Sequence, residues 1–429
     1  MKFEKKLRVA MYTNVYRPTT NGVVTSVDFF RRGLNEIGHD VFLFAPGAGE
    51  YEDIEPYIFR YLALKIPGRN YPLAVPVSRF ADRLLPRLKP HVLHANHPAL
   101  LGSVAAQKSK ELNVPLVFTY HTRYREYAHY ASFLPKELTQ DFLLIWLANF
   151  MKDCHQIVVP SQSIKDLLRE EHGIEEGVEV VSTGVDPTPF LACSREDSRA
   201  RLGLKGDILV SSGRLAKEKN FPLLLKAFSL IAPKRPEASL YILGDGDDRE
   251  VLRKLSVDLN IAERVFFPGL VPSAEIPLYL TAAGLFFFAS VTETQGLVTL
   301  EAMAAGLPVV AVNATGTADL VEHGKNGLLT SATPEALAEA ALSLLENPEM
   351  RREFSVKAQA RSLDFGLVTQ ARKMEKAYRC AMERHKAGKN INSRRKDPEH
   401  WRVVKEKLAA AFPLKVLAMS KARRKPSTI

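Results

Sequence analysis

The 429-residue chain is poor in cysteine: it has three, Cys154, Cys193 and Cys380, widely separated. That spacing offers neither a disulfide framework nor a set of zinc ligands, and a reducing compartment is expected. Long apolar runs are also missing. A membrane-spanning helix needs about 20 consecutive apolar residues, and the best stretch, residues 142–151, is about half that length. The start, MKFEKKLRVAMYTNVY, is a charged lead into a strand without a long apolar core or a small-residue cleavage site, so no signal peptide is expected. The body of the chain lacks net charge as well. Residues 386–429 hold 13 Lys/Arg against 3 Asp/Glu, a balance of +10 out of the total of +11, which leaves +1 for the other 385 residues. Such a body is not expected to read nucleic acid, whose recognition rests on cations facing phosphates. What is present is a globular composition, 46% hydrophobic and 25% charged, with length for two to three domains.

Residues 284–312 carry the most information. GLFFFA (284–289) is a short continuous apolar run of the length of a strand buried on both faces. Residues 290–295 are a polar loop. From Gly296 to Ala305 the pattern is helical, with Leu297, Leu300 and Met303 at helical spacing among alanines. Gly306 is placed to end that helix, Pro308 prevents its continuation, and residues 308–312 read as the next strand. A helix N-terminus at Gly296 presents bare amides and the positive end of the dipole to an anion such as a diphosphate. Glycine there lets a ligand approach the backbone. Glu293 and Glu301 flank the turn. Carboxylates repel phosphate but accept hydrogen bonds from sugar hydroxyls, and a nucleotide-sugar has both groups.

The rest of the chain repeats the strand–loop–helix unit of a parallel sheet. Residues 7–12 are a strand, followed by RPTTNGVVTS (17–26), with Gly22 in the loop that opens a helix, and by a second strand at 41–44. Residues 91–95 and 114–119 are strands. The latter ends in YHTRYREYAHY (120–130), dense in His, Tyr, Arg and Glu at a position where open α/β sheets place ligand groups. Residues 134–152 read as a core helix, 156–160 as a strand, and Ser161 as the cap of the helix that follows. Residues 187–198, with two prolines, read as a linker. A strand at 207–211 leads to SGRLAKEKN (212–220), where Arg214 and Lys219 at the end of a buried strand call for an anion. Asp245 and Asp247 sit in a turn after the strand at 239–243, so no metal bridge is expected and no metal site is assigned. Residues 265–268 lead into Gly269, Leu270 and Val271.

Glu293 and Glu301, with seven residues between them and AMAAGLPVVA after them, resemble the donor-site motif of the retaining glycosyltransferases of family GT4. The resemblance covers about residues 7–384 and implies the α/β GT-B fold: two Rossmann-like domains facing across a cleft. By it, residues 1–192 form the acceptor-side domain, completed by a C-terminal helix at 368–385. Residues 193–367 form the donor-binding domain, and 386–429 a basic amphipathic tail. The resemblance implies that Gly22, Arg214, Lys219 and the backbone of Gly296, Leu297 and Val298 hold the donor diphosphate. Glu293 and Glu301 would hold sugar and ribose, and Gly269, Leu270 and Val271 the nucleobase. The TYHT stretch (119–122) and the tyrosines and HY after it resemble glycolipid-forming members that act on diacylglycerol; phosphatidylinositol mannosyltransferases are also similar. By that match His121 joins Glu293 as a catalytic residue, and Tyr124, Glu126 and His129 lie on the acceptor side. The chain departs from the usual family pattern with Asn21 before Gly22, Ser182 before Thr183-Gly-Val-Asp186, Asp247 for Pro, and Asp319 for Glu; Asp319 is assigned no catalytic role.

The implied activity is transfer of a hexose from a nucleotide-sugar, UDP-glucose first, to a lipid such as diacylglycerol, with no tightly bound cofactor. GDP-mannose with a phosphatidylinositol or polyprenyl lipid, a soluble or cell-wall saccharide acceptor, and a non-catalytic nucleotide-sugar or nucleic-acid binder are the alternatives. Two segments are candidates for contact with an anionic membrane. Residues 57–89 mix Arg and Lys with aromatics; they read equally as an interfacial helix or as a core helix with a solvated basic face. In residues 386–429, Trp401, Val404, Leu408 and Phe412 fall at helical spacing beside basic residues. A cytoplasmic enzyme, peripheral on the inner face of the cell membrane, follows from this reading.

Overall fold

The structure is a computed structural model of the 429-residue chain and describes residues 5–65, 72–125 and 136–392. Glu126, His129, residues 66–71 of the basic–aromatic segment and residues 393–429 of the tail lie outside the described residues.

Fifteen strands occur among the described residues. They are β1 (Arg8–Tyr12), β2 (Asp40–Pro46), β3 (Ile58–Tyr61), β4 (Ala63–Leu64), β5 (Leu73–Ala74), β6 (Val92–Ala95), β7 (Leu116–Thr119), β8 (Gln156–Val159), β9 (Val178–Val180), β10 (Asp207–Ser212), β11 (Ala238–Leu243), β12 (Val265–Gly269), β13 (Leu285–Phe288), β14 (Val309–Val312) and β15 (Gly327–Thr330). One sheet runs β3-β2-β1-β6-β7-β8-β9 and the other β12-β11-β10-β13-β14-β15. Their ladders are parallel; β4 and β5 form a small antiparallel pair. β13 and β14 read as unbroken apolar runs because both faces of the sheet are buried there. Phe286, Phe287 and Phe288 are all buried, each contributing about 2–3 kcal/mol of apolar burial.

Each sheet has a topological reversal, between β1 and β6 in the first and between β10 and β13 in the second. Loops leave such a point in opposite directions and open a crevice at the carboxyl ends of the strands. The two crevices face each other. A Cβ added to Gly22, which opens the helix Gly22–Glu36 of the first half, would lie 3.6 Å from Leu297, which opens the helix Leu297–Ala304 of the second.

The last described helix, Leu367–Lys386, crosses back to the first sheet, where Met374, Ala377, Tyr378 and Ala381 are buried beside Val27, Phe30 and Leu34. Two segments add detail to the sequence reading. Residues 187–198, read as a linker, contain the helix Thr188–Leu191 and the start of the helix Arg195–Leu202. Pro187 is the N-cap of the short helix and Pro189 lies in its first turn, where no intrahelical N–H bond is lost. Past the last helix, Ile391 is buried in the core of the first half and its N–H donates to the Cys154 carbonyl at 2.8 Å; the polar neighbours mask one anchoring side chain.

Candidate active site

In the second half, the loops after β10 and β13 are stitched together. Ser290 and Thr292 hydroxyls donate to the Glu218 carbonyl at 3.1 and 3.2 Å, and Asn220 Nδ2 donates to the Ala289 carbonyl at 3.3 Å. Lys219 closes a 3-10 turn, Lys217–Lys219, and its Nζ lies 2.5 Å from Glu293 Oε1. Arg214 is bonded to the carboxylate of Glu218, whose side chain is almost wholly buried. An ammonium has three donors and a guanidinium five. Each cation can therefore keep its carboxylate and still donate to a phosphate oxygen.

Gly296 caps the helix Leu297–Ala304 with φ 86°, a left-handed conformation that favours glycine. The amides of Leu297 and Val298 open the helix and have no partner within it. Glu301, in the second turn, has its carboxyl pushed up to about 7 by burial. Gly316, with φ 79°, lies against this loop; a Cβ on it would sit 2.7 Å from the Glu293 carbonyl oxygen and the Gln295 nitrogen. Gly269, at the end of β12, accepts from the Gly244 N–H at 2.9 Å, while Leu270 is exposed and Val271 half-buried.

The first half contributes a different chemistry. His94, at 1% exposure, is held between the Tyr378 hydroxyl (2.8 Å from Nδ1) and Thr119 Oγ1 (2.7 Å from Nε2). His97 Nδ1 accepts from the Asn14 N–H at 3.1 Å. Burial lowers these imidazoles to about 3 and about 4. His121 is lowered well below the usual histidine range by burial and by His97 and His94 beside it. All three are neutral at pH 7. Tyr124 packs its ring edge-on to Tyr120, centroids 5.5 Å apart, at the margin of the core. Asn21 caps the helix Gly22–Glu36 by accepting from the amides of Val23 and Val24, both at 3.0 Å. Gly22 has no positive φ, so the turn itself does not require glycine; its distinguishing feature is its approach to Leu297, which an added Cβ would touch at 3.6 Å.

Several residues that join the two halves carry no local signal. Arg123 donates to the Val291 carbonyl (3.0 Å) and to Thr315 Oγ1 (3.2 Å). Thr294 Oγ1 donates to the His121 carbonyl at 3.1 Å. Ser161, the expected helix cap, also donates to the Thr294 carbonyl at 2.7 Å. Gln295 exchanges two hydrogen bonds with the backbone of Thr183, at 2.8 and 2.5 Å. Asp319 accepts from the Ser163 amide at 3.1 Å and hydroxyl at 2.5 Å, and so caps the helix Gln162–His172 from the opposite half. The structure thus gathers Gly22, His121, Arg214, Lys219, Glu293, Gly296 and Leu297 around one cleft. Gly269–Val271 lie two strands away from the reversal, and Asp319 acts as a bridge between the halves. Among the described residues no group of three or more His, Cys, Asp or Glu is placed to hold a metal ion.

Comparison with known proteins gives the family and the fold. Residues 20–188 match the model of Glycosyltransferase Family 4, and residues 194–361 match that of Glycosyl transferases group 1. The alpha-monoglucosyldiacylglycerol synthase of Acholeplasma laidlawii is 30% identical over 389 residues, 87% of this chain and 96% of the relative. The synthase of the same description from Streptococcus pneumoniae is 27% identical, with 80% of each chain covered. A GDP-mannose-dependent alpha-mannosyltransferase of Corynebacterium glutamicum is 27% identical over 81% of this chain and 83% of its own. Among solved structures, sucrose-phosphate synthase from Thermosynechococcus elongatus superposes with a TM-score of 0.72 at 21% identity, covering 87% of this chain and 98% of that one. HepE of Anabaena in complex with UDP-glucose superposes with a TM-score of 0.68 at 20% identity, covering 86% and 98%. The fold is GT-B.

Proposed function

The chain belongs to glycosyltransferase family 4 and is a hexosyltransferase, and from that premise we propose that it moves glucose from UDP-glucose to diacylglycerol at an anionic membrane surface, with retention at the anomeric carbon. The donor lies on the second half. Arg214, Lys219 and the amides of Gly296, Leu297 and Val298 surround the diphosphate and stabilise the charge that grows on it as the glycosidic bond breaks. A single preorganised donor of this kind contributes about 3 kcal/mol to a transition state. Glu293 accepts from sugar hydroxyls while Lys219 holds it in place; Glu301 binds the ribose, and the backbone at Gly269–Val271 meets the base. No protein nucleophile is assigned. The donor's own phosphate, on the same face as the attacking hydroxyl, takes its proton. His121 meets the sugar from the first half, and Tyr124, Glu126 and His129 belong to the acceptor side. On this reading the domains divide at 192/193 and 367/368.

One surface feature carries the acceptor assignment. Of sixteen large apolar side chains exposed among the described residues, six lie between residues 54 and 80: Ile54, Tyr57, Leu62, Leu64, Val77 and Phe80. The helix Arg79–Leu88 turns Ala81 and Leu85 inward and leaves Phe80 outside with Arg79, Arg83 and Arg87. Its single acid, Asp82, is paired with Lys108 at 2.8 Å, so the exposed face is net basic. Apolar tips set among cations suit an interface of anionic lipid. Residues 386–429 supply a second basic contact, and the enzyme works from the cytoplasmic side as a peripheral protein. The similarity to a GDP-mannose-dependent enzyme favours a second donor reading, because main-chain contacts at Gly269–Val271 separate uracil from guanine poorly.

The test is a panel of labelled UDP- and GDP-sugars supplied to the full chain with anionic vesicles containing diacylglycerol. Labelled glucosyl-diacylglycerol from UDP-glucose is the expected product. Preferential labelling from GDP-mannose would replace the donor, and labelling of added saccharide in place of lipid would replace the acceptor.

A further inference from the structure

Asn96 follows β6 directly and is buried, at 3% exposure. Its backbone N–H and its side-chain Nδ2 both donate to the Tyr12 carbonyl, at 2.8 and 3.3 Å. A carbonyl oxygen only accepts, so the amide is fixed with its nitrogen toward Tyr12 and its oxygen away from it. That oxygen lies 2.9 Å from His121 Nε2. An amide oxygen also only accepts, so Nε2 must carry a proton and donate it. No other described residue bonds the ring. Meanwhile the His121 carbonyl is held by Thr294 of the donor loop. Backbone and ring are fixed from opposite sides of the cleft.

We infer that Asn96 is a positioning residue: it holds His121 as the Nε2–H tautomer, so that Nδ1 is presented as a hydrogen-bond acceptor to a hydroxyl group in the cleft. A neutral imidazole has one donor and one acceptor nitrogen, and the bond made by one sets the role of the other. Protonation would turn Nδ1 into a donor and reverse its role. The groups that act on the ring favour the neutral form. His97 and His94 lie behind it on the β6 side, and burial disfavours its charge. On its own segment the cation of Arg123 is turned to the Val291 carbonyl and Thr315 Oγ1. In the opposing loop Glu293 is paired with Lys219 and does not offer an unshared anion. The identity of the hydroxyl, on the transferred sugar or on the acceptor, rests on the transferase reading; the tautomer does not.

The test is long-range proton–nitrogen NMR of the full chain labelled with 15N-histidine, with the His121 signals identified by their loss in His121→Gln. The expected wild-type pattern is a protonated Nε2 and a bare Nδ1, unchanged from about pH 6 to about pH 9. A protonated Nδ1 with a bare Nε2, or an imidazolium at neutral pH, would overturn the inference without any substrate being needed. Asn96→Ala should mix the tautomers and lower glucosyl transfer on the order of tenfold, the effect of one lost hydrogen bond. Asn96→Asp places a carboxylate against Nε2–H, which favours the imidazolium and raises the His121 pKa by about one unit or more. Its rate should be low in acid and recover as pH rises, whereas a purely structural defect would lower the rate equally at every pH. If neither variant folds, the wild-type tautomer decides alone. UDP-glucose hydrolysis without lipid separates the two hydroxyls: it falls with transfer if Nδ1 meets the sugar, and is spared if Nδ1 meets the acceptor. A correct tautomer with no turnover of any nucleotide-sugar would leave the positioning intact and remove the transferase assignment.

Discussion

The two halves of the molecule share one architecture and put opposite chemistry at the same place in it. At the reversal of the second sheet stand full charges: Arg214 with Glu218, Lys219 with Glu293, and a helix N-terminus at Gly296. At the reversal of the first stand neutral imidazoles, His94 buried and His97 and His121 half-buried, with an amide, Asn96, bonded to the last of them. Its outer flank is apolar and basic. The proposed function gives the difference a reason. A diphosphate needs fixed cations and amides, which act most strongly where water is excluded. A reacting sugar hydroxyl and the proposed lipid acceptor need a shaped, uncharged surface that leaves charge development to the other side.

The sharpest way to break that contrast is to remove a cation from the charged half. Lys219→Ala or Arg214→Ala should lower transfer on the order of 10²–10³-fold, while leaving cosedimentation with anionic vesicles unchanged; a loss under threefold would mean that these cations do not face the diphosphate. A smaller effect is expected from geometry alone. Gly316→Ala places a Cβ against the Glu293 and Gln295 backbone and forces a non-glycine residue to positive φ, a strain of roughly 1–3 kcal/mol. The donor KM, read from initial rates, should rise more than the KM for lipid. On the apolar flank, Phe80→Glu should weaken vesicle binding about tenfold, since it removes a burial of about 1.5–3 kcal/mol and adds an anion. Turnover of detergent-dispersed diacylglycerol should be spared; an equal loss in detergent would place Phe80 in the core.

The smallest expected effect is on stability. Burial raises Glu301 from the usual carboxylate range to about 7. Between about 4.5 and 7 the folded chain therefore holds a proton that the unfolded chain has released, and stability contributed at this site falls as pH rises through that window. Glu301→Gln should remove the dependence. Its melting temperature relative to the wild type should climb from pH 5 to pH 8; a constant difference would show that Glu301 titrates normally.

What could be read in advance was what is contiguous. Gly296, Glu293 and Glu301 belong to one strand–loop–helix unit, so the pattern that builds this turn also places its residues together. Strands such as β13 announce themselves because burial on both faces leaves no polar position. The short helix at 188–191 inside the expected linker gave no signal because its two prolines sit at the N-cap and in the first turn, where a breaker is harmless. Asn96, Arg123, Asp319 and the Gln295–Thr183 pair were illegible for another reason: their partners lie from 25 to 192 residues away in the chain. They become neighbours only after two sheets have formed and faced each other. Asp319 replaces the usual Glu of the family pattern, and the structure gives its carboxylate work to do between the halves, at the amide of Ser163.

The most direct measurement of the central claim is the structure of the lipid product made by the full chain from UDP-glucose and diacylglycerol on anionic vesicles, solved by NMR after extraction. The account predicts glucose joined to the free hydroxyl of diacylglycerol in the α configuration, released in step with UDP. A β-linked product would contradict retention and the same-face path, and a folded protein that yields no lipid-linked sugar from any nucleotide-sugar would contradict the acceptor side of the account.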